Sequence, residues 1–243
     1  MHKNKYLINN LFSVNKKICI VTGAFGGIGK TISNLLEING AIVIKIDILE
    51  KRKHDNNYFK IDVKDHNGIK KVINSTFKKY RRIDALLNIA GVSDPTNFKN
   101  NIDVNLTSVY ELTNMVAEKM AKRKKGSVVN FTSLNAELGF KNNLGYLSSK
   151  GGLKQLTKGF AMDYSSKNIR FNNVGPGYFK TNMTAKSYNN RVKRNERLSR
   201  ILMNRFGYPE DLFGIIVYLI SDASLYVTGQ DFYIDGGFLA KGI

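Results

Sequence analysis

The chain has 243 residues, with 38 Lys and Arg against 19 Asp and Glu, giving a formal charge of +19 and a pI of about 9.9. That length allows one large domain with a sizeable core, and a single cysteine, Cys19, excludes an intrachain disulfide and a cysteine-cluster metal site. The charge admits an anionic partner, but Lys and Asn are spread through the whole chain. Lys122-Arg123-Lys124-Lys125 and Lys51-Arg52-Lys53 therefore read as solvated surface, and neither nucleic acid nor a membrane is expected as a partner. His2, His54 and His66 show no ligand spacing, so no metal is expected. No apolar run approaches about 20 residues, and the first stretch mixes Lys and Asn with short apolar pairs; this predicts a cytoplasmic chain without a membrane span or secretory signal.

Residues 1–14 read as a leader in which Leu11 and Phe12 pack on the edge of a domain spanning 15–243. The apolar run Ile18-Cys19-Ile20-Val21 is too short for an amphipathic helix and reads as a buried parallel strand. It ends in Thr22-Gly23-x-x-x-Gly27-x-Gly29, after which Ile28, Ile32, Leu35, Leu36 and Ile38 recur at helical spacing. Strands follow over 41–46, 58–61, 85–90, 127–132, 169–174 and 232–234. Helices are predicted over 69–80, 102–121, 146–165 and 211–220. The polar, basic stretch 179–205 reads as a lid, and 93–101 as a trimmed loop.

Alternating strands and helices with short connections define a doubly wound α/β fold, a parallel sheet covered on both faces. Ligands bind such sheets beyond the strand carboxyl ends, at the switch in strand order. The glycine turn between a strand and a helix N-terminus suits a phosphate, because free N–H groups and the helix dipole attract an anion and glycines let it approach. Asp47 ends the second strand about 18 residues beyond Gly29, where an acid meets the adenosine ribose of a dinucleotide.

Tyr146 and Lys150, at i and i+4, share one helix face, and a nearby cation lowers the pKa of a phenol, which makes it usable as a base. Ser133 ends the preceding strand and can face the tyrosine across the crevice. At this point the chain resembles the short-chain dehydrogenase/reductase family over residues 15–240. The ordered matches are the glycine turn, Asp62-Val63, Asn88-x-Ala90-Gly91, Val104-Asn105-Leu106, Ser133, Tyr146-x-x-x-Lys150, Pro176-Gly177-x-x-x-Thr181, Thr228-Gly229-Gln230 and Asp235-Gly236-Gly237.

The resemblance implies a single-domain Rossmann fold and hydride transfer between a nicotinamide cofactor and a secondary alcohol or ketone. It implies Tyr146 as general acid/base, Lys150 lowering its pKa and holding the nicotinamide ribose, Ser133 hydrogen-bonding the reacting oxygen, and Asn105 supporting a proton relay. Gly23, Phe25, Gly27, Ile28 and Gly29 would line the pyrophosphate. Asp62 and Val63 would meet the adenine, Asn88, Ala90 and Gly91 the ribose path, and Pro176, Gly177 and Thr181 the nicotinamide end. Asp47, and glycine at position 26, favour NAD over NADP, whereas Lys45, Lys51 and Lys53 could accommodate a phosphate. Ile89 stands where the family usually has asparagine, and only sixteen residues separate Asn88 from Asn105, fewer than usual, which predicts a more open pocket edge.

Within the family, residues 178–184, 207–212 and 229–230 are most similar to gluconate 5-dehydrogenase and related sugar and sugar-acid dehydrogenases. Arg191, Lys193, Arg194, Arg197 and Arg200 would suit an anionic substrate, or simply solvate the lid. A 3-oxoacyl-thioester reductase, whose carrier protein is acidic, and a dehydrogenase of surface-sugar synthesis are the alternatives. A dinucleotide-binding regulator without turnover is the reading from another class, opposed by the intact Ser133, Tyr146, Lys150 and Asn105. Relatives usually assemble through the helix carrying Tyr146 and the final strand, so a homotetramer or homodimer is expected.

Overall fold

The computed structural model describes residues 7–50 and 55–241; His2, Lys51-Arg52-Lys53 and His54 lie outside the described residues. After a short helix α1 (Ile8–Leu11) the chain runs β1 (Ile18–Thr22), α2 (Gly27–Ile38), β2 (Ile42–Asp47), β3 (Tyr58–Lys60), α3 (His66–Tyr80), β4 (Ala85–Asn88), α4 (Phe98–Ile102) and α5 (Ser108–Ala121). It continues through β5 (Gly126–Phe131), α6 (Leu144–Tyr164), β6 (Ile169–Pro176), α7 (Ala185–Asn189), α8 (Arg191–Leu198), α9 (Phe213–Ile220) and β7 (Asp231–Ile234). The strands form one seven-stranded sheet in the order β3-β2-β1-β4-β5-β6-β7, and every pairing is parallel. The expected doubly wound, Rossmann-like domain is therefore observed. β1 pairs with both β2 and β4, so the order reverses there and a crevice opens beyond their carboxyl ends.

Successive strand residues face opposite sides, and both sides are dry. Cys19, Val21, Val43, Leu87 and Val129 pack under Ile32 and Leu36 of α2 and Ile216 and Leu219 of α9. Ile18, Ile20, Ile44, Leu86 and Val128 pack under Ile69 and Ile73 of α3, Leu112 and Val116 of α5, and Phe160 of α6. This double burial is why the strands read as unbroken apolar runs, and truncating a buried leucine such as Leu36 or Leu86 to alanine costs about 2–5 kcal/mol. Burial pushes the Cys19 thiol up to about 12, which leaves it an inert core residue. Phe12, just after α1, packs against Tyr218, with ring centroids 6.3 Å apart. Among the described residues no helix is long and apolar enough to cross a membrane.

Several expected elements are corrected. The stretch 93–101 is not a bare loop: Asn97 caps α4 by accepting from Asn100 N at 2.9 Å, so Phe98–Ile102 is helical. The long helix expected over 102–121 is interrupted by a π-turn at Asp103–Thr107, whose extra residue per turn holds Asn105 against Val92. A 3-10 turn, Pro209–Leu212, takes the start of the expected 211–220 helix, and residues 179–205 carry α7 and α8.

Candidate active site

The cleft begins at the glycine turn. Gly23 has φ +64°, a conformation side chains disfavour, and a Cβ there would lie 2.8 Å from Ala90 Cα. Any side chain at Gly29 would overlap the Gly23 carbonyl oxygen, so β1 turns into α2 more tightly than other residues allow. α2 has Gly26 at its N-cap, no side-chain cap and no acid in its first turn. Its N-terminal N–H groups therefore remain for a ligand.

A chamber of about 470 Å³ follows, lined by Gly23, Phe25, Gly27, Ile28 and Gly29, by Asp47, by Asp62 and Val63, and by Ala90 and Gly91. Asp47 is 6% exposed; its carboxylate accepts from Phe25 N at 2.8 Å and Leu49 N at 2.9 Å, tying the end of β2 to the glycine turn. Phe25 stands edge-on to Tyr58, 4.8 Å between centroids, and Ile48, Leu49 and Ile61 add apolar wall.

A second chamber of about 370 Å³ holds Ser133, Tyr146, Lys150, Pro176 and Gly177. Ile28, Ile89, Gly91, Thr181 and Met183 line both chambers, so the two form one continuous cleft. Asn143 starts α6 by accepting from Tyr146 N at 3.3 Å, and the i, i+4 spacing then puts Tyr146 and Lys150 on one face, with the Lys150 Nζ 5.7 Å from the Tyr146 ring centroid. Ser133 ends the run beyond β5; its hydroxyl donates to Asn135 Oδ1 at 3.2 Å and lines the same chamber as the phenol, which it influences electrostatically.

Burial dominates the electrostatics of the chamber. Burial holds the Tyr146 phenol above its ordinary value of about 10, with the Ser133 hydroxyl pulling the other way. Lys150 Nζ donates to Phe131 O at 2.6 Å, and burial brings the amine down to about 8. In this site the phenol keeps its proton at neutral pH.

Two expected cleft residues lie beneath it. Asn88 is 2% exposed and donates to Thr113 Oγ1 (2.9 Å) and Asn130 Oδ1 (2.7 Å), so its amide faces the interior and not the ribose path. It heads a buried ladder that continues from Asn130 to Thr157 (2.8 Å), Thr157 to Asn173 (2.7 Å) and Asn173 to Asp231 (2.7 Å). Asn105 is fully buried in the π-turn, bonded to Val92 and to Ser149 Oγ (3.1 Å). The Phe131 carbonyl, Ile89, Met183, Lys141 and Arg197 belong to the site but were not singled out for it by motif. Phe131 acts through its backbone, which no residue type encodes, whereas Arg197 stood among the basic residues of 179–205.

The uncapped α2 N-terminus, the glycine cradle, the buried acid at the β2 end and one cleft joining them fit a dinucleotide. A parallel doubly wound sheet with this cradle at its switch point and a Ser133, Tyr146, Lys150 cluster beside it defines a nucleotide-dependent oxidoreductase. The family model described as enoyl-(acyl carrier protein) reductase matches residues 23–239. A 3-oxoacyl-[acyl-carrier-protein] reductase of Thermotoga maritima is 37% identical over 243 residues, covering 92% of this chain and 98% of its own. A 2-dehydro-3-deoxy-D-gluconate 5-dehydrogenase of Formosa agariphila is 34% identical over 253 residues, covering 95% of this chain and 96% of its own. The crystal structure of a gluconate 5-dehydrogenase from Burkholderia cenocepacia in complex with NADP and tartrate superposes with TM-score 0.86 at 26% identity, covering 95% of this chain and 98% of that one. The chain belongs to the short-chain dehydrogenase/reductase family, oxidoreductases acting on CH–OH groups.

Proposed function

We propose that the protein catalyses reversible hydride transfer between a nicotinamide dinucleotide and a secondary alcohol or ketone of a sugar acid, sugar or polyol. The observation that carries this reading is the opening of the Ser133, Tyr146, Lys150 chamber into the glycine-turn cleft. When bound, the nicotinamide supplies or accepts the hydride. Tyr146 gives its proton to the carbonyl oxygen in reduction and takes one from the alcohol in oxidation, and Ser133 Oγ orients that oxygen. Lys150, anchored on Phe131 O, holds a ribose hydroxyl. Asn105 keeps the Gly91–Val92 backbone in place, and Asn88 is a structural bracket under it.

Gly23, Phe25, Gly27, Ile28 and Gly29 hold the pyrophosphate; Asp62 and Val63 the adenine; Ala90, Gly91, Pro176, Gly177 and Thr181 the ribose and carboxamide end. NAD is favoured over NADP, since a 2'-phosphate would meet the Asp47 carboxylate. Lys45 gives no relief: its Nζ is paired with Glu37 (2.6 Å) and Asp55 (3.1 Å). Residues 179–205 act as a lid, and residues 1–14 form an N-terminal leader ahead of the domain. The protein works in the cytoplasm as a homotetramer or homodimer, to which the exposed Met162, Leu225 and Tyr226 offer apolar surface.

The test is NADH formation by purified protein from NAD and a panel of sugar acids and polyols, repeated with Tyr146→Phe. Turnover by the wild type and its loss in the variant are expected; no hydride transfer with any alcohol or ketone of the panel overturns the reading. The 37% identity to a 3-oxoacyl-[acyl-carrier-protein] reductase and the charge of +19 favour a second reading, reduction of a 3-oxoacyl thioester. Faster NADPH-dependent reduction of an acetoacetyl thioester than of any keto-sugar acid would select it.

A further inference from the structure

The charged side chains lining the Tyr146 chamber are all cations: Lys141, Lys150 and Arg197 among the described residues. Lys150 is committed to the Phe131 carbonyl. Arg197 is different. Its guanidinium lies over the Tyr178 ring at 4.5 Å, and it makes no ion pair among the described residues. The cations at the two ends of the same segment are engaged: Arg205 grips Asp211 through two bonds of 2.6 and 3.0 Å, and Lys180 donates to Tyr208 OH at 3.1 Å while sitting 4.5 Å from the Tyr188 ring centroid. Of the five basic residues at 191–200 only Arg197 lines the chamber.

The contact with the Tyr178 ring holds the guanidinium without using its N–H groups, and such a fork matches a carboxylate with two parallel bonds. With no acid on the wall to compete, a bound anion is the partner this cation lacks. We infer that Arg197 binds a carboxylate that the substrate carries apart from its reacting carbinol, with Lys141 as a second cation lining the same chamber. This rests on the hydride-transfer reading and narrows it to hydroxy and keto acids. Polyols of the same length, lacking the carboxylate, forgo that contact. Arg197 is then a specificity-determining residue on α8, and Ser133 and Tyr146 meet the other end of the molecule.

The probes are tartrate, a dihydroxy dicarboxylate, titrated into NADH-loaded protein by fluorescence, and D-gluconate against D-glucitol, two alcohols that differ at the carboxylate. Arg197→Met should weaken tartrate binding and raise the gluconate KM by about 10- to 100-fold, leaving NADH affinity and the glucitol KM unchanged. Arg197→Lys should recover part of the loss, because charge remains but the fork does not. Wild-type protein that binds no tartrate, or Arg197→Met that binds it as well as the wild type, overturns the assignment. If NADH binds and tartrate titration depends on Arg197 but no alcohol is oxidised, the anion site stands and the hydride-transfer reading is the one that fails.

Discussion

Asn105 holds Val92 by both of its backbone groups: Nδ2 donates to Val92 O at 2.8 Å and Oδ1 accepts from Val92 N at 2.9 Å. Four residues earlier, Asn101 does the same to Asp94, at 2.6 and 3.1 Å. Both amides are fully buried. The cleft wall formed by Ala90 and Gly91 is thus braced from below before any ligand arrives.

Asn105→Ala strips two part-buried backbone groups of their partners, so it should cost about 1–3 kcal/mol in urea denaturation and weaken dinucleotide binding. Unchanged stability would mean that the π-turn, and not the amide bracket, holds the wall.

A phenol held above its ordinary pKa starts as a proton donor. Carbonyl reduction should therefore be level through neutral pH and fall on the alkaline side, whereas alcohol oxidation should climb with pH. An oxidation rate that falls between pH 7 and about 9 would contradict the assignment of Tyr146 as the base.

Lys150 adds a separate signature in stability. Its folded-state value of about 8 lies below the ordinary 10.5, so below about pH 8 both folded and unfolded chains carry the proton and the cost of burying the ammonium is full. Between about 8 and 10.5 the unfolded chain binds more protons, and stability rises with pH. Lys150→Met should flatten that rise in denaturation curves taken across this range. A wild-type curve already flat there would show that the amine is not desolvated.

The doubly wound order was legible because strands buried on both faces are unbroken apolar runs and the helices between them keep their periodicity. The meeting of Ser133, Tyr146 and Lys150 in one chamber was legible for a related reason, since two fall on one helix face and the third at a strand end. What pattern alone concealed was backbone and depth. Phe131 contributes a carbonyl, the π-turn at Asp103–Thr107 continues a helical pattern while changing its pitch, and Asn88 has the composition of a ligand contact but points inward. Sequence spacing likewise does not reveal that the Lys150 ammonium is anchored on a backbone carbonyl.

Asp47 ties Phe25 N to Leu49 N, and on the NAD reading its carboxylate would also repel a 2'-phosphate. Asp47→Ser should shift preference toward NADPH and lower stability by about 1–3 kcal/mol, read from paired NADH and NADPH titrations and a denaturation curve. A wild type that binds NADPH at least as tightly as NADH would remove the second role and leave the first.

Thr157 donates to Asn173 Oδ1 (2.7 Å) and accepts from Asn130 Nδ2 (2.8 Å) in the ladder beneath the cleft. Thr157→Val keeps the shape and removes both, so about 2–3 kcal/mol of stability should be lost with kcat little changed. A large fall in kcat at unchanged stability would give the ladder a part in turnover.

The most direct measurement compares wild type and Tyr146→Phe for NADH binding by fluorescence and for turnover on one oxidised alcohol. With Tyr146 as the proton-transferring group, NADH affinity stays within about threefold while kcat falls by about 10²- to 10⁴-fold. A variant that keeps turnover near the wild-type rate would contradict the account.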